Sequence, residues 1–554
     1  MRTHGPTAEG VTPASTELGV VAQLLKRLDK LNAIGIALSS EKDPMRLVEQ
    51  ILLGAKDITN ADGGTVYSVT GDGTLRFEML RNDTLGLVMG GSSGVTIPYK
   101  PLSLRREDGS ANHASVVAHA VVTGDTVNIP DAYHADGFDF AGTRAFDAKT
   151  GYRSTSMLTV PMRNHEGEIT GVLQLLNART DDGTVCPFSE SEQRLVESLA
   201  SQAATALTKH DLIEGMRKLF ESFVQLIATA IDEKSPYTGG HCRRVPELTM
   251  MLAEAAARVK AGPLAGFSMS EGDRYELHIA SWIHDCGKIT TPEYVMDKAT
   301  KLQTIYDRIG LIETRFEIIR RDLEIASLRA LATAPADGRA AIEADLRTAL
   351  AALDEDLAFI RRANTGGEFM KPEDQERIRR VAMRTWRTPE GDLQPLLTDN
   401  EVRNLTIAKG TLLPEERAII NHHMTATIKM LESLPYPKHL RRVPEFAGGH
   451  HERMDGKGYP KGLTRDQMSV QARVMGIADI FEALTADDRP YKKAMSLSMA
   501  LGILGRMAGE GHIDPDLFDV FISEGVYLDY AKKHLSPEQM DAVDLAKIPN
   551  YRKS

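Results

Sequence analysis

Apolar residues recur at helical spacing from about residue 22 to 57, in VAQLLKRLDKLNAIGIALSS and then PMRLVEQILLGAKDI. They predict two helices. The period then shortens. GGTVYSVTGDGTLRFEML holds two β-rich runs around Gly-Asp-Gly, a hairpin signal. SMLTVPMRN and ITGVLQLLNA, joined by HEGE, predict two further strands. Residues 22–188 are therefore expected to form an α+β unit, helices flanking an antiparallel sheet, behind a disordered tail at 1–21. Residues 189–233 change character, with no proline and steps of three and four through Leu195, Leu199, Ala203, Leu207, Ile213, Met216, Phe220, Phe223, Ile227 and Ile231. That is one apolar stripe on one long helix of roughly 66 Å. A parallel second copy is its simplest partner, which makes the chain an expected homodimer. The alternative is two shorter helices broken near His210, each packed on its own domain. From 234 to 554 the pattern is helix and loop. Residues 302–408 stand apart as charged helical stretches broken at PADG and NTGG, an inserted helical hairpin.

Composition adds limits. The 554 residues are 42% hydrophobic and 26% charged, with a net charge of −11. Nonspecific binding to DNA is not expected of such a chain. Three cysteines, Cys186, Cys242 and Cys286, show no pair spacing, which points to a reducing cytoplasm rather than a disulfide framework. No stretch has signal-peptide or membrane-span character.

Chemistry concentrates after residue 234, where ten of the 16 histidines fall. PYTGGHCRRV supplies His241. IASWIHDCGK supplies His284 and Asp285, closing an apolar helix with Gly287 as its expected C-cap. IINHHMTATIKML supplies His423 on the same face as Ile419, Ile420, Thr427 and Met430. GGHHERMDGKGYP supplies His450 and His451, and ARVMGIADIFEAL supplies Asp479 among apolar neighbours. A buried carboxylate in such a setting costs several kcal/mol unless it is paired or metal-bound. A shared metal cluster satisfies every one of these stretches together. Its nitrogen and oxygen donors favour iron or manganese, with zinc, nickel or cobalt also compatible.

HDCGK followed by HHERMDGKGYP resembles the HD-GYP branch of the HD phosphohydrolases, over about 215–554 apart from the 302–408 insertion. The family's members are phosphodiesterases for cyclic di-GMP, giving pGpG and GMP, and some prefer the mixed guanine–adenine dinucleotide. The resemblance implies metal ligands at His241, His284, Asp285, His423, His450, His451 and Asp479. It implies a bridging hydroxide as nucleophile, with His284, Asp285 and Lys288 as the catalytic group. Substrate contacts are implied at Lys288, at Gly456, Gly458, Tyr459 and Pro460 of the loop, and at Arg489 and Lys492. Tyr237 stands where members with a third metal carry glutamate, which points to two ions. His284 and His423 lie 139 residues apart, so the insertion is expected to project from the fold.

NIPDAY (128–133), Phe138, Phe146, Asp147 and TGYRSTSMLTVPM resemble a GAF domain of the cyclic-nucleotide phosphodiesterase type. Asn177 and Phe188 match that type's binding pattern, while Ala178 replaces its lysine and ESE (190–192) replaces its Asp-Glu. The expected architecture is a GAF sensor at 22–188, a linker and dimerisation helix at 189–233, and an all-α HD-GYP domain at 234–554. The GAF unit would take a small ligand or cyclic nucleotide, or serve as scaffold. The expected activity is hydrolysis of a cyclic dinucleotide. Two alternatives stand beside it: a receptor that binds the dinucleotide without cutting it, and a hydrolase acting on another nucleotide.

Overall fold

The computed structural model describes residues 13–234, 240–366, 369–487 and 494–552. It divides into two compact units, Met1–Leu219 and Phe220–Ser554. In the first, helices α1 (Pro13–Ser40) and α2 (Pro44–Thr59) precede the sheet. Residues 13–21, expected as tail, are thus already helical. Asp43 caps α2 by accepting from the N–H groups of Met45 and Arg46, Pro44 opens the first turn, and Asn60 closes it in the left-handed region.

The sheet is antiparallel. Strands β1 (Ala61–Val69), β2 (Thr74–Asn82), β3 (Leu87–Gly90), β4 (Leu102–Ser103), β5 (Val127–Ile129), β6 (Met157–Arg163), β7 (Ile169–Arg179) and β8 (Val185–Cys186) include both predicted hairpins. Their order is β3-β2-β1-β7-β6-β5, with β4 on β2 and β8 on β7. Alternation sorts the side chains. Leu158, Val160, Met162, Leu173 and Leu175 face the helices, packing on Leu47, Ile51, Leu52, Ala55 and Ile58 of α2. The opposite face carries Tyr67, Val172 and Leu176 toward α3 (Val116–Thr123) and α4 (Ala141–Thr150).

Helix α5 runs unbroken from Glu190 to Lys234, 45 residues, as the long-helix reading expects. Its apolar stripe is not continuous in use. Leu195, Val196, Leu199, Ala200, Ala203 and Ala204 enter the core of the first unit. Val224, Ala228 and Ile231 enter the core of the second. Between them Leu212, Ile213, Met216, Leu219 and Phe223 are exposed, as are Leu226 and Ile227 on the outer side of the second stretch.

The second unit holds α6 (His241–Arg258), α7 (Glu271–Ile283) and α8 (Glu293–Met296). The insertion follows, and its predicted hairpin is present as α9 (Ile309–Thr333) packed on α10 (Arg339–Asn364). It also contains α11 (Pro372–Ala382), a small hairpin β9 (Thr385–Arg387) and β10 (Leu393–Pro395) that the helical reading missed, and α12 (Asp399–Leu405). Leu302, Ile312, Phe316, Leu353, Ile360, Ile378, Leu396 and Leu405 give it a core of its own. The chain then returns as α13 (Pro414–Glu432), α14 (Val443–Gly448) and α15 (Val470–Thr485), followed by α16 (Leu497–Gly509), α17 (Pro515–Ser523) and α18 (Val526–His534). Leu277, Phe446, Phe481, Leu501, Phe518 and Tyr530 centre that packing. Among the described residues no helix is long and apolar enough to cross a membrane.

Candidate metal centre

Five local structures deliver the seven residues. His241 opens α6, and His284 and Asp285 follow the last residue of α7. His423 lies on α13, His450 and His451 follow α14, and Asp479 lies on α15. All seven converge. Asp285, His423, His450 and His451 offer donor atoms within 4.8 Å of one another, and so do His241, His284, Asp285 and Asp479. Asp285 belongs to both sets, one oxygen to each. Its Oδ1 lies 3.3 Å from His423 Nε2 and 3.8 Å from His450 Nε2. Its Oδ2 lies 3.4 Å from His284 Nε2 and 3.6 Å from His241 Nε2. Asp479 Oδ1 lies 3.3 Å from His241 Nε2 and 3.8 Å from His284 Nε2.

The residues fit a pair of divalent ions. Nε2 of His241, His284, His423 and His450, and Oδ1 of Asp285, are buried without a hydrogen-bond partner. Orphaned buried polar atoms are costly, and ligands about 2.0–2.2 Å from a shared ion sit at the separations found here. Tautomers agree. The Nδ1 atoms of His284, His423 and His450 face the carbonyls of Ser281, Ile420 and Ala447 at 2.8, 2.5 and 2.7 Å. A carbonyl only accepts, so each Nδ1 carries the proton and each Nε2 keeps its lone pair for an ion. Cys242 and Cys286 are buried beside the ligands, yet burial pushes both thiols up, Cys286 to about 11, and neither joins a donor set.

Glu482, one turn beyond Asp479, was missed by the sequence reading. It is fully buried, pairs with His241 Nδ1, and accepts from Arg244 Nε at 2.6 Å. Burial works against its charge, but His241 and Arg244 hold the carboxyl down at about 2. Burial also opposes charge on His241, and Glu482, Asp285 and Asp479 outweigh it, raising that imidazole well above its ordinary range. His450 and His451 go the other way, pushed down by burial and by neighbouring histidines, His451 to about 4. Burial opposes charge on His284 as well, yet Asp285 and Asp479 raise it to about 9. Neutral imidazole is the form that binds metal, so His241 and His284 would each give up a proton when an ion enters. Lys288 reaches Asp285 Oδ2 at 2.5 Å, so its ammonium stands at the rim of the cluster.

One expectation changes. Gly287 is not a cap. Helix α7 ends at Ile283 with His284 as its C-cap, and Gly287 sits in the tight turn 286–290 against α13. A Cβ there would lie 2.0 Å from the His423 carbonyl oxygen and 2.5 Å from the Thr427 nitrogen. The glycines of GKGYP also serve the fold of the loop itself. Gly456 turns at φ 76°, and a Cβ on Gly458 would lie 2.4–2.5 Å from Arg453 N and Glu452 Cα. Glu452, also missed, folds that loop by accepting from the N–H groups of Lys461 and Leu463 at 2.7 and 2.9 Å. Tyr459 stacks on His451 with centroids 4.8 Å apart, and Pro460 follows through a cis peptide bond. Tyr237, Arg489 and Lys492 lie outside the described residues.

In the first unit the matching residues knit the fold. Asn177 donates to Tyr152 Oη and the Arg153 carbonyl, Phe188 is core, and Asp147 accepts from Tyr133 and Ser154.

The family model of the GAF domain matches residues 43–207, within the α+β unit, and that of the HD domain matches 399–517, within the helical unit. The chain therefore carries a GAF domain and an HD domain, and its homologues include proteins named as cyclic di-GMP and 3'3'-cGAMP phosphodiesterases, as the HD-GYP resemblance implies. A 3'3'-cGAMP-specific phosphodiesterase of Vibrio cholerae is 44% identical over 80 residues, covering 14% of this chain and 18% of that protein. A protein of the same organism named as a probable cyclic di-GMP phosphodiesterase is 35% identical over 142 residues, 24% of this chain and 32% of that one. A cyclic di-GMP phosphodiesterase of Pseudomonas aeruginosa is 37% identical over 120 residues, 21% and 28%. The aligned stretch thus spans less than a third of these relatives. A GAF-domain structure from a Coxiella burnetii phosphotransferase matches at 16% identity and a TM-score of 0.27, covering 35% of this chain and 98% of that one.

Proposed function

We propose that this chain is a metal-dependent phosphodiesterase that hydrolyses cyclic di-GMP. One observation carries the reading: two four-residue donor sets share the single carboxylate Asp285. His241, His284, Asp285 and Asp479 would hold one ion, and Asp285, His423, His450 and His451 the other. The nitrogen–oxygen donor set suits iron or manganese best. Paired divalent ions supply a nucleophile from water at neutral pH and neutralise charge on phosphoryl oxygens. The protein's own part is positioning. The carbonyls behind the histidines fix their tautomers, and Glu482 and Arg244 hold His241 in place. Lys288 would turn from Asp285 to a phosphoryl oxygen of the substrate. Tyr459 and the loop 456–460 would wall the pocket, with Arg489 and Lys492 as further contacts on the strength of the sequence resemblance.

Incubation of metal-loaded protein with cyclic di-GMP, read by chromatography, tests this. pGpG or GMP should form and vanish with Asp285→Ala. Tight binding without product would favour a receptor. The mixed cyclic GMP–AMP dinucleotide belongs in the same assay, because the 44% identical relative is named for it.

The regulatory parts complete the reading. The GAF sheet encloses a cavity of about 530 Å³ lined by Tyr67, Phe77, Tyr99, Lys100, Asp139 and Phe140, a volume for a small ligand. On α5, Leu212, Met216, Leu219, Phe223 and Leu226 repeat at steps of four and three, all exposed. That is a heptad seam, and a second copy of the helix is its partner.

A further inference from the structure

Where the insertion returns to the helical unit, a second groove opens. It has a volume of about 490 Å³ and is walled by Arg403, Ile407, Lys409, Leu413, Pro414 and Arg417. The acids around it are committed. Glu415 binds Arg403 at 2.6 Å, and Glu416 binds Lys298 at 2.8 Å. Arg417 and Lys409 make no side-chain hydrogen bond or ion pair among the described residues. The groove therefore presents two cations without a carboxylate partner among the described residues, Lys409 just before α13 and Arg417 in its second turn. The same helix carries His423 six residues further on, about 9 Å along the axis.

A cyclic dinucleotide carries two phosphodiesters, and the paired donor sets serve one. We propose that Arg417, with Lys409 beside it, seats the second phosphodiester, the one that is not cut. This rests on the proposed activity and extends it: the substrate class is a dianion with two phosphates, and part of its recognition comes from Lys409, just beyond the end of the insertion. A guanidinium can hold phosphate oxygens in a two-pronged grip, whereas the ammonium of Lys409 adds point charge.

The test compares wild type with Arg417→Gln, Arg417→Lys and the double variant Arg417→Gln/Lys409→Gln. Each is assayed on cyclic di-GMP and on bis(p-nitrophenyl) phosphate, which has one phosphodiester. KM for cyclic di-GMP should rise at least tenfold in Arg417→Gln and further in the double variant. The ratio of kcat/KM for cyclic di-GMP over the one-phosphate substrate should fall at least tenfold, and Arg417→Lys should restore part of it. An unchanged ratio, with melting temperatures equal to wild type, overturns the proposal. If wild type leaves cyclic di-GMP uncut, the proposed activity fails on its own, and the groove is judged by calorimetric binding of cyclic di-GMP. A Kd weakened tenfold by the double variant then sustains it, and an equal Kd overturns it.

Discussion

Replacing Gly287 by alanine adds one methyl group at the point where the Asp285 turn meets the helix that carries His423. The added Cβ would lie 2.0 Å from the His423 carbonyl oxygen, 2.5 Å from the Thr427 nitrogen and 2.6 Å from its hydroxyl. Ordinary contact begins near 3.4 Å, so the turn and α13 must part by about 1.4 Å. Two of those neighbours are helix backbone and cannot swing aside. Overpacking of this kind costs about 1–3 kcal/mol, a loss the fold survives. The donor sets fare worse, because metal–ligand bonds tolerate only about 0.2 Å. Asp285 Oδ1 and His423 Nε2, now 3.3 Å apart, would no longer share an ion. Gly287→Ala should therefore melt a few degrees lower, lose the ion held by His423, His450 and His451, and drop in kcat by at least 100-fold. Calorimetry, elemental analysis and turnover read the three effects. A folded Gly287→Ala protein with wild-type metal content and turnover would refute the argument that this glycine sets the spacing of the site.

Glu482→Gln keeps shape but removes the charge that orients His241 and holds Arg244, so affinity for the metals should fall about 10- to 100-fold in chelator competition. An affinity equal to wild type contradicts that role. Leu212→Glu with Leu219→Glu places charge on the exposed seam of α5, and light scattering should show a dimer become a monomer with little change in melting temperature. A dimer that persists removes the seam as its cause. Lys301 is 1% exposed, and burial pushes its ammonium down from 10.5 to about 8. Between those values the unfolded chain binds more protons, so native stability should rise with pH relative to Lys301→Met, by up to about 1.4 kcal/mol per unit. A stability difference that is flat from pH 8 to 10.5 shows that the lysine is not strained by burial.

The donor residues were legible as a set: each alone has an ordinary reading, but several buried imidazoles and carboxylates in one helical unit call for a common partner. Asp479 among Ile477, Ala478, Ile480 and Phe481 was the sharpest of these signals. The partners behind them were harder to see. Glu482 is one helical turn from Asp479, and that spacing was the available signal, but its contact with His241 spans 241 positions. Gly287 read as a cap because local rules see a glycine after a helix, whereas its reason is a backbone 136 residues away. The α+β unit followed from alternation. The β9–β10 hairpin did not, since Thr385–Arg387 and Leu393–Pro395 are too short and polar to show a period. On α5 the sequence reading ran one stripe through Phe220 and Ile231, and the structure divides it because each end is claimed by a different core.

The central claim is that Asp285 joins two ion sites. Elemental analysis of protein purified without oxygen measures it most directly. Two divalent ions per wild-type chain, with both lost in Asp285→Ala, is the result the shared carboxylate predicts. An Asp285→Ala chain that is folded and still holds two ions contradicts it.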